Sequence, residues 1–154
     1  VDIFVQSKDM DEVQKGQFLD NFKSNPEKTT LGFLVIGGAF SEGIDLVNDR
    51  LIGAVIIGVG LSKINYQSDK ISEYYKNLDL NGYEYSYLNP GMNKVMQAVG
   101  RVIRGEKERG AVLLIDERYT YKNYQSLYRR EWNHYQLVFS PEDIKKKVSN
   151  FFIK

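Results

Sequence analysis

The chain has 154 residues, 42% apolar and 27% charged, with 21 Lys and Arg against 20 Asp and Glu. That length suits one globular domain over residues 1–154, with a core large enough to need no covalent staples. The absence of cysteine excludes disulfides, thiolate metal sites and cysteine nucleophiles, and a single histidine, His134, argues against a His-built metal site or a Ser–His–Asp triad.

Short apolar runs alternate with longer amphipathic ones. Residues 2–6 read as a strand and about 10–24 as a helix, with Asp9 and Glu12 at capping-box spacing. Strands follow at 31–36 and 54–58, then helices at about 68–78 and 90–105, the latter with Asn89 as N-cap. A strand at 111–115 precedes helices at about 119–131 and 141–152. Ser140-Pro141-Glu142-Asp143 supplies an N-cap, a proline at the first position and acids in the first turn of the last helix. The runs at 31–36, 54–58 and 111–115 are continuously apolar, the pattern of strands buried on both faces of a parallel sheet. Strand and helix alternate, so the expected class is α/β with a doubly wound, mostly parallel sheet. No apolar run reaches the ~18 residues of a membrane span, so no membrane partner and a cytoplasmic location are expected. The net charge of +1 leaves any nucleic-acid contact to a local patch. Because the first residue is Val1, the chain is expected to be part of a longer one.

In open α/β sheets ligands bind beyond the carboxyl ends of the strands. Gly58 and Gly60 stand at G-x-G spacing, but position 63 is Lys, and a lone G-x-G is a weak dinucleotide signal. No G-x-x-x-x-G-K-[ST] loop is present, so the chain has no phosphate loop of its own. The helix after Asn89 is the most informative element. Met92, Val95, Met96, Val99, Val102 and Ile103 fall on one side, and Asn93, Gln97, Gly100, Arg101 and Arg104 on the other. Arg101 and Arg104 lie one turn apart, about 4.5 Å along the axis, and suit a bidentate anion such as phosphate. Gly100, read as mid-helix, costs about 1 kcal/mol relative to Ala and suggests a close approach. A solvated charged face is the alternative reading of this stripe.

Three segments in register carry a resemblance. Gly38-Ala-Phe-Ser-Glu-Gly-Ile-Asp-Leu46 looks like motif V of the XPD/DinG-type branch of superfamily 2 helicases. Gln97-Ala-Val-Gly-Arg-Val-Ile-Arg104 looks like motif VI, and Arg109-Gly-Ala-Val-Leu-Leu-Ile-Asp-Glu-Arg-Tyr119 like the strand ending in Asp-x-Arg that follows it. The chain therefore resembles the second RecA-like domain of such a helicase, a domain that lacks its own phosphate loop. Two segments depart from the pattern: Gly60-Leu61-Ser62 replaces a Leu-Pro-aromatic turn, and Arg130-Glu131-Trp132 stands for Pro-x-Trp.

The resemblance implies a nucleotide site shared with an N-terminal RecA-like domain of the same parent chain. That domain would supply the phosphate loop and the carboxylates for Mg2+, leaving no metal site in this chain. Arg104 and Arg101 match the motif VI arginines and would be the catalytic fingers acting on ATP. Gln97, Gly43, Asp45 and Gly100 would serve the nucleotide, and Ser41, Glu42 and Gly38 the single-stranded DNA track. Capping of the next helix remains the alternative for Ser41, Glu42 and Asp45. The eleven tyrosines can stack on bases or pack under the helices, and Asp116 and Arg118 can pair with each other or with the motif VI helix. The implied function is the motor half of an ATP-dependent DNA helicase, inactive by itself. The alternatives are a stand-alone, non-catalytic nucleotide- or phosphate-binding α/β domain, or a single-strand-binding module.

Overall fold

A computed structural model describes residues 1–38, 40, 46, 48–103 and 108–153. Two parallel strand pairs organise them. β1 (Asp2–Val5) pairs with β2 (Thr30–Phe33), Ile3 beside Leu31 and Val5 beside Phe33. β3 (Gly53–Ile57) pairs with β4 (Ala111–Ile115), Val55 beside Leu113 and Ile57 beside Ile115. The parallel α/β character expected from the sequence is present. Among the described residues the strands form two two-stranded sheets rather than one continuous, doubly wound one.

Between β1 and β2 runs α1 (Glu12–Asp20). Its capping box is Asp11 with Gln14, not Asp9 with Glu12: Asp9 lies in a turn, and the extended residue that precedes the helix is Asp11. Phe18 and Phe22 pack beneath the sheet with Phe40 and Leu46, Phe4 closing the cluster from β1. At Gly32 a Cβ would come within 2.7 Å of the tip of the Phe22 ring, so a larger residue there would displace that ring. Arg50 donates to the Phe22 carbonyl at 2.6 Å and the Leu19 carbonyl at 3.3 Å, placing a cation at the negative end of α1.

The second half is built on α2 (Tyr66–Lys76), capped by Asn65, and α3 (Asn89–Val99). Asn89 is not an N-cap. A widened helical turn at Glu84–Leu88 runs straight into α3, and the Asn89 amide bonds the Glu84 carbonyl five residues back. The shifted register accommodates Pro90, which has no amide proton to give. The expected helix over 119–131 is likewise broken, into short turns at Glu117–Thr120 and Arg130–Trp132 and a four-residue α4 (Lys122–Gln125). Extended backbone at Tyr121 interrupts it. α5 (Pro141–Ile153) begins as expected, the Ser140 hydroxyl accepting from the Asp143 amide at 3.1 Å.

Ile56, Val59, Leu88, Met92, Val95, Met96, Val99, Tyr119 and Tyr124 make the larger core, with Ile36, Val112 and Leu114 against it. Helices cover one face of each strand pair only. Ile3, Val5, Leu31 and Phe33 on one sheet, and Val55, Ile57 and Ile115 on the other, remain exposed, so burial of both faces does not hold among the described residues. No helix of the described residues is long and apolar enough to cross a membrane.

Candidate nucleotide-phosphate cleft

α3 is held by its apolar stripe. Met92 and Val95 are almost wholly buried, Met96, Val99 and Val102 nearly so, whereas Ile103, expected on the same face, is exposed. The anchored stripe turns positions 93 and 97 outward. α3 closes at Gly100, whose amide bonds the Met96 carbonyl at 2.9 Å. Tighter i→i−3 bonds then carry the chain on, Arg101 to Ala98 at 3.1 Å and Val102 to Val99 at 3.0 Å. Gly100 is thus a helix terminus rather than a mid-helix residue. Its φ of −64° is open to any residue, and a Cβ there would meet only the Met96 and Gln97 carbonyls, at 3.3 and 3.5 Å.

Gln97, Gly100 and Arg101 line one open cleft of about 310 Å³ with Met96 and Arg129. Three of the residues expected to serve a nucleotide are therefore together. Gly38 stands apart, its amide closing a turn onto the Val35 carbonyl at 3.0 Å. Arg104, Ser41, Glu42, Gly43 and Asp45 lie outside the described residues.

The strand-exit loops are fastened to α3 from below. Gly37 and Gly60 both have positive φ, +74° and +65°. A Cβ on Gly37 would lie 2.9 Å from the stem of Lys94, and one on Gly60 would lie 2.8 Å from the Gly91 carbonyl. The Lys94 ammonium donates to the Gly60 carbonyl at 3.4 Å and the Ser62 hydroxyl at 3.0 Å. At the exit of β4, Arg118 grips Asp116 through Nε and Nη2, both at 2.8 Å. Of the two pairings open to these residues, the structure shows the one with each other. The guanidinium holds the Asp116 carboxyl below the usual carboxylate range, and the carboxylate raises Arg118 in turn. Burial pushes the Tyr119 phenol up, and pushes Tyr128 up to about 12.

The sequence model of the helicase C-terminal domain matches residues 1–135. The chain belongs to this helicase C-terminal domain family. Its relatives include the ATP-dependent DNA helicase chl-1 of Caenorhabditis elegans, 38% identical over 102 residues, 62% of this chain and 12% of that protein. The ATP-dependent DNA helicase chl1 of Schizosaccharomyces pombe is 31% identical over 136 residues, 80% of this chain and 16% of that protein. The ATP-dependent DNA helicase DinG of Photobacterium profundum is 29% identical over 127 residues, 80% of this chain and 17% of that protein. The chain thus spans between 12% and 17% of the length of these three relatives.

Membership of the helicase C-terminal family accords with the XPD/DinG-type resemblance read from the three motifs. Two residues of the site were not singled out in the sequence. Arg129 carries no spacing signal, since it joins the cleft from a separate segment. Lys94 had one: it lies one turn before Gln97 on α3, and the glycines it touches were visible at the ends of apolar runs.

Proposed function

We propose that the chain is the second motor domain of an ATP-dependent DNA helicase, its strand pairs being parts of one doubly wound RecA-like sheet. It would supply the motif V and motif VI side chains to an ATP site shared with an N-terminal RecA-like domain. The observation that carries this reading is the convergence of Gln97, Gly100 and Arg101 on one cleft at the end of α3. A guanidinium placed beside a terminal phosphate neutralises the charge that builds there as the phosphoryl group leaves. Arg101 has that role, and Arg104 shares it by its place in the motif. Gln97, one turn back, orients the Arg101 side chain or the phosphate oxygens. A finger of this kind is worth roughly 10³–10⁵ in rate, about 4–7 kcal/mol of barrier.

The Mg2+ that accompanies ATP is assigned to the N-terminal domain, as the motif resemblance implies. Motif V, with Ser41, Glu42 and Gly38, is assigned to the single-stranded DNA track, and Gly43 and Asp45 to the nucleotide side of the same loop.

The test uses the full-length parent protein. Arg104→Ala and Arg101→Ala should each abolish DNA-stimulated ATP hydrolysis while leaving nucleotide binding largely intact, and this chain alone should show no turnover. Normal turnover by both variants, or micromolar ATP binding by the isolated chain, would favour a stand-alone nucleotide-binding domain instead.

A further inference from the structure

Arg129 enters the cleft from a segment with no motif of its own. Its backbone is nonetheless firmly placed. On one side Tyr128 packs on the larger core and donates its hydroxyl to the Tyr119 carbonyl at 3.0 Å. On the other, Trp132 packs on the same core, 5.6 Å from the Tyr128 ring, and its amide bonds the Arg129 carbonyl at 2.9 Å. Met96, a member of that core, also lines the cleft. One hydrophobic cluster therefore fixes both α3, whose terminal turn carries Arg101, and the turn that bears Arg129. Arg101 and Arg129 thus line one cleft from segments whose backbone positions are set by common packing.

The cleft is open and about 310 Å³, room enough for the phosphates of a nucleotide. We propose that Arg129 is a further phosphate-contacting residue of this site, binding the terminal phosphates of a nucleoside triphosphate beside Arg101. The inference rests on the nucleotide-site reading above.

Arg129 lines the cleft from a segment outside α3. Its contact with phosphate is made alike before and during bond breaking, so it contributes to binding rather than to turnover. In the full-length parent, Arg129→Ala should raise the KM for ATP about tenfold and leave kcat within about twofold. Arg129→Lys, which keeps the charge, should recover part of that loss. Circular dichroism and thermal midpoints confirm folding, and Arg129→Gln carries the same test if the alanine variant does not fold.

Arg101→Ala is measured in parallel. Loss of turnover in Arg101→Ala with an unchanged KM in Arg129→Ala overturns this inference alone. Unimpaired hydrolysis in Arg101→Ala overturns the nucleotide-site reading itself. If Arg129→Ala raises the DNA concentration needed for half-maximal activation and leaves the KM for ATP unchanged, the cleft takes backbone phosphate, and the proposal is wrong.

Discussion

The Tyr119 hydroxyl donates a 2.6 Å hydrogen bond to the Gly58 carbonyl, tying the segment after β4 to the exit of β3. Tyr119 is 5% exposed, so water cannot readily replace that donor. Tyr119→Phe should cost about 1–2 kcal/mol, the range for leaving a shielded carbonyl unmatched. Urea denaturation of the isolated chain would show a lowered midpoint at unchanged slope.

The same aromatic cluster should give the fold an alkaline limit. An ordinary tyrosine ionises near 10.0, whereas Tyr128 in the fold keeps its proton to about 12. Between those values the unfolded state binds fewer protons than the native one, so stability falls as pH rises. Tyr128→Phe removes that group's share. Plotted against pH, its urea midpoint should decline less steeply above pH 10 than that of the parent sequence.

Asp116 sets the opposite limit. Its carboxyl titrates below the ordinary 3.8 because Arg118 bonds its charged form. The stabilisation is complete above that ordinary value and is lost as pH falls through the depressed one. Asp116→Asn should cost about 1 kcal/mol near neutrality, as expected for a bidentate but half-exposed pair. Below pH 4 its stability should converge on that of the unmodified chain, which acid denaturation followed by circular dichroism would reveal.

Gly91 and Gly16 make a contrasting pair. A Cβ on Gly91 would stand 2.8 Å from the Leu61 side chain and 2.9 Å from the Val59 carbonyl, and the carbonyl cannot move aside cheaply. Gly91→Ala should cost about 1–3 kcal/mol. On α1, a Cβ at Gly16 would meet nothing within 4 Å. Gly16→Ala should therefore gain up to about 1 kcal/mol of helix propensity. Thermal midpoints moving in the same direction in both variants would contradict the packing described.

What could be read from the sequence divides along physical lines. β4 lies where its apolar run placed it, and the cap of α5 is the one that Ser140 announced. Both are local signals. The start of α3 was not legible, because the widened turn depends on a distant contact: a Cβ at Gly82 would lie 2.2 Å from the Ser72 carbonyl of α2. Nor was the splitting of the 119–131 segment, where the hydroxyls of Tyr119 and Tyr128 draw the backbone into turns by reaching Gly58 and Tyr119. Helical spacing placed Gln97 and Arg101 on one side, and both line the cleft, although Arg101 sits in the tighter turn after α3. Arg129 joined them through tertiary packing, which no spacing encodes.

The Lys94 stem lies close enough to Gly37 beyond β2 to leave no room for a Cβ there, and its ammonium bonds Gly60 and Ser62 beyond β3. Through those two bonds a roll of α3 about its axis would pull on the β3 exit, so a push at that loop should reach the cleft as a displacement of Gln97. In hydrogen exchange, the amides flanking Gly60 should open together with those of α3, as one unit rather than as loop and helix separately.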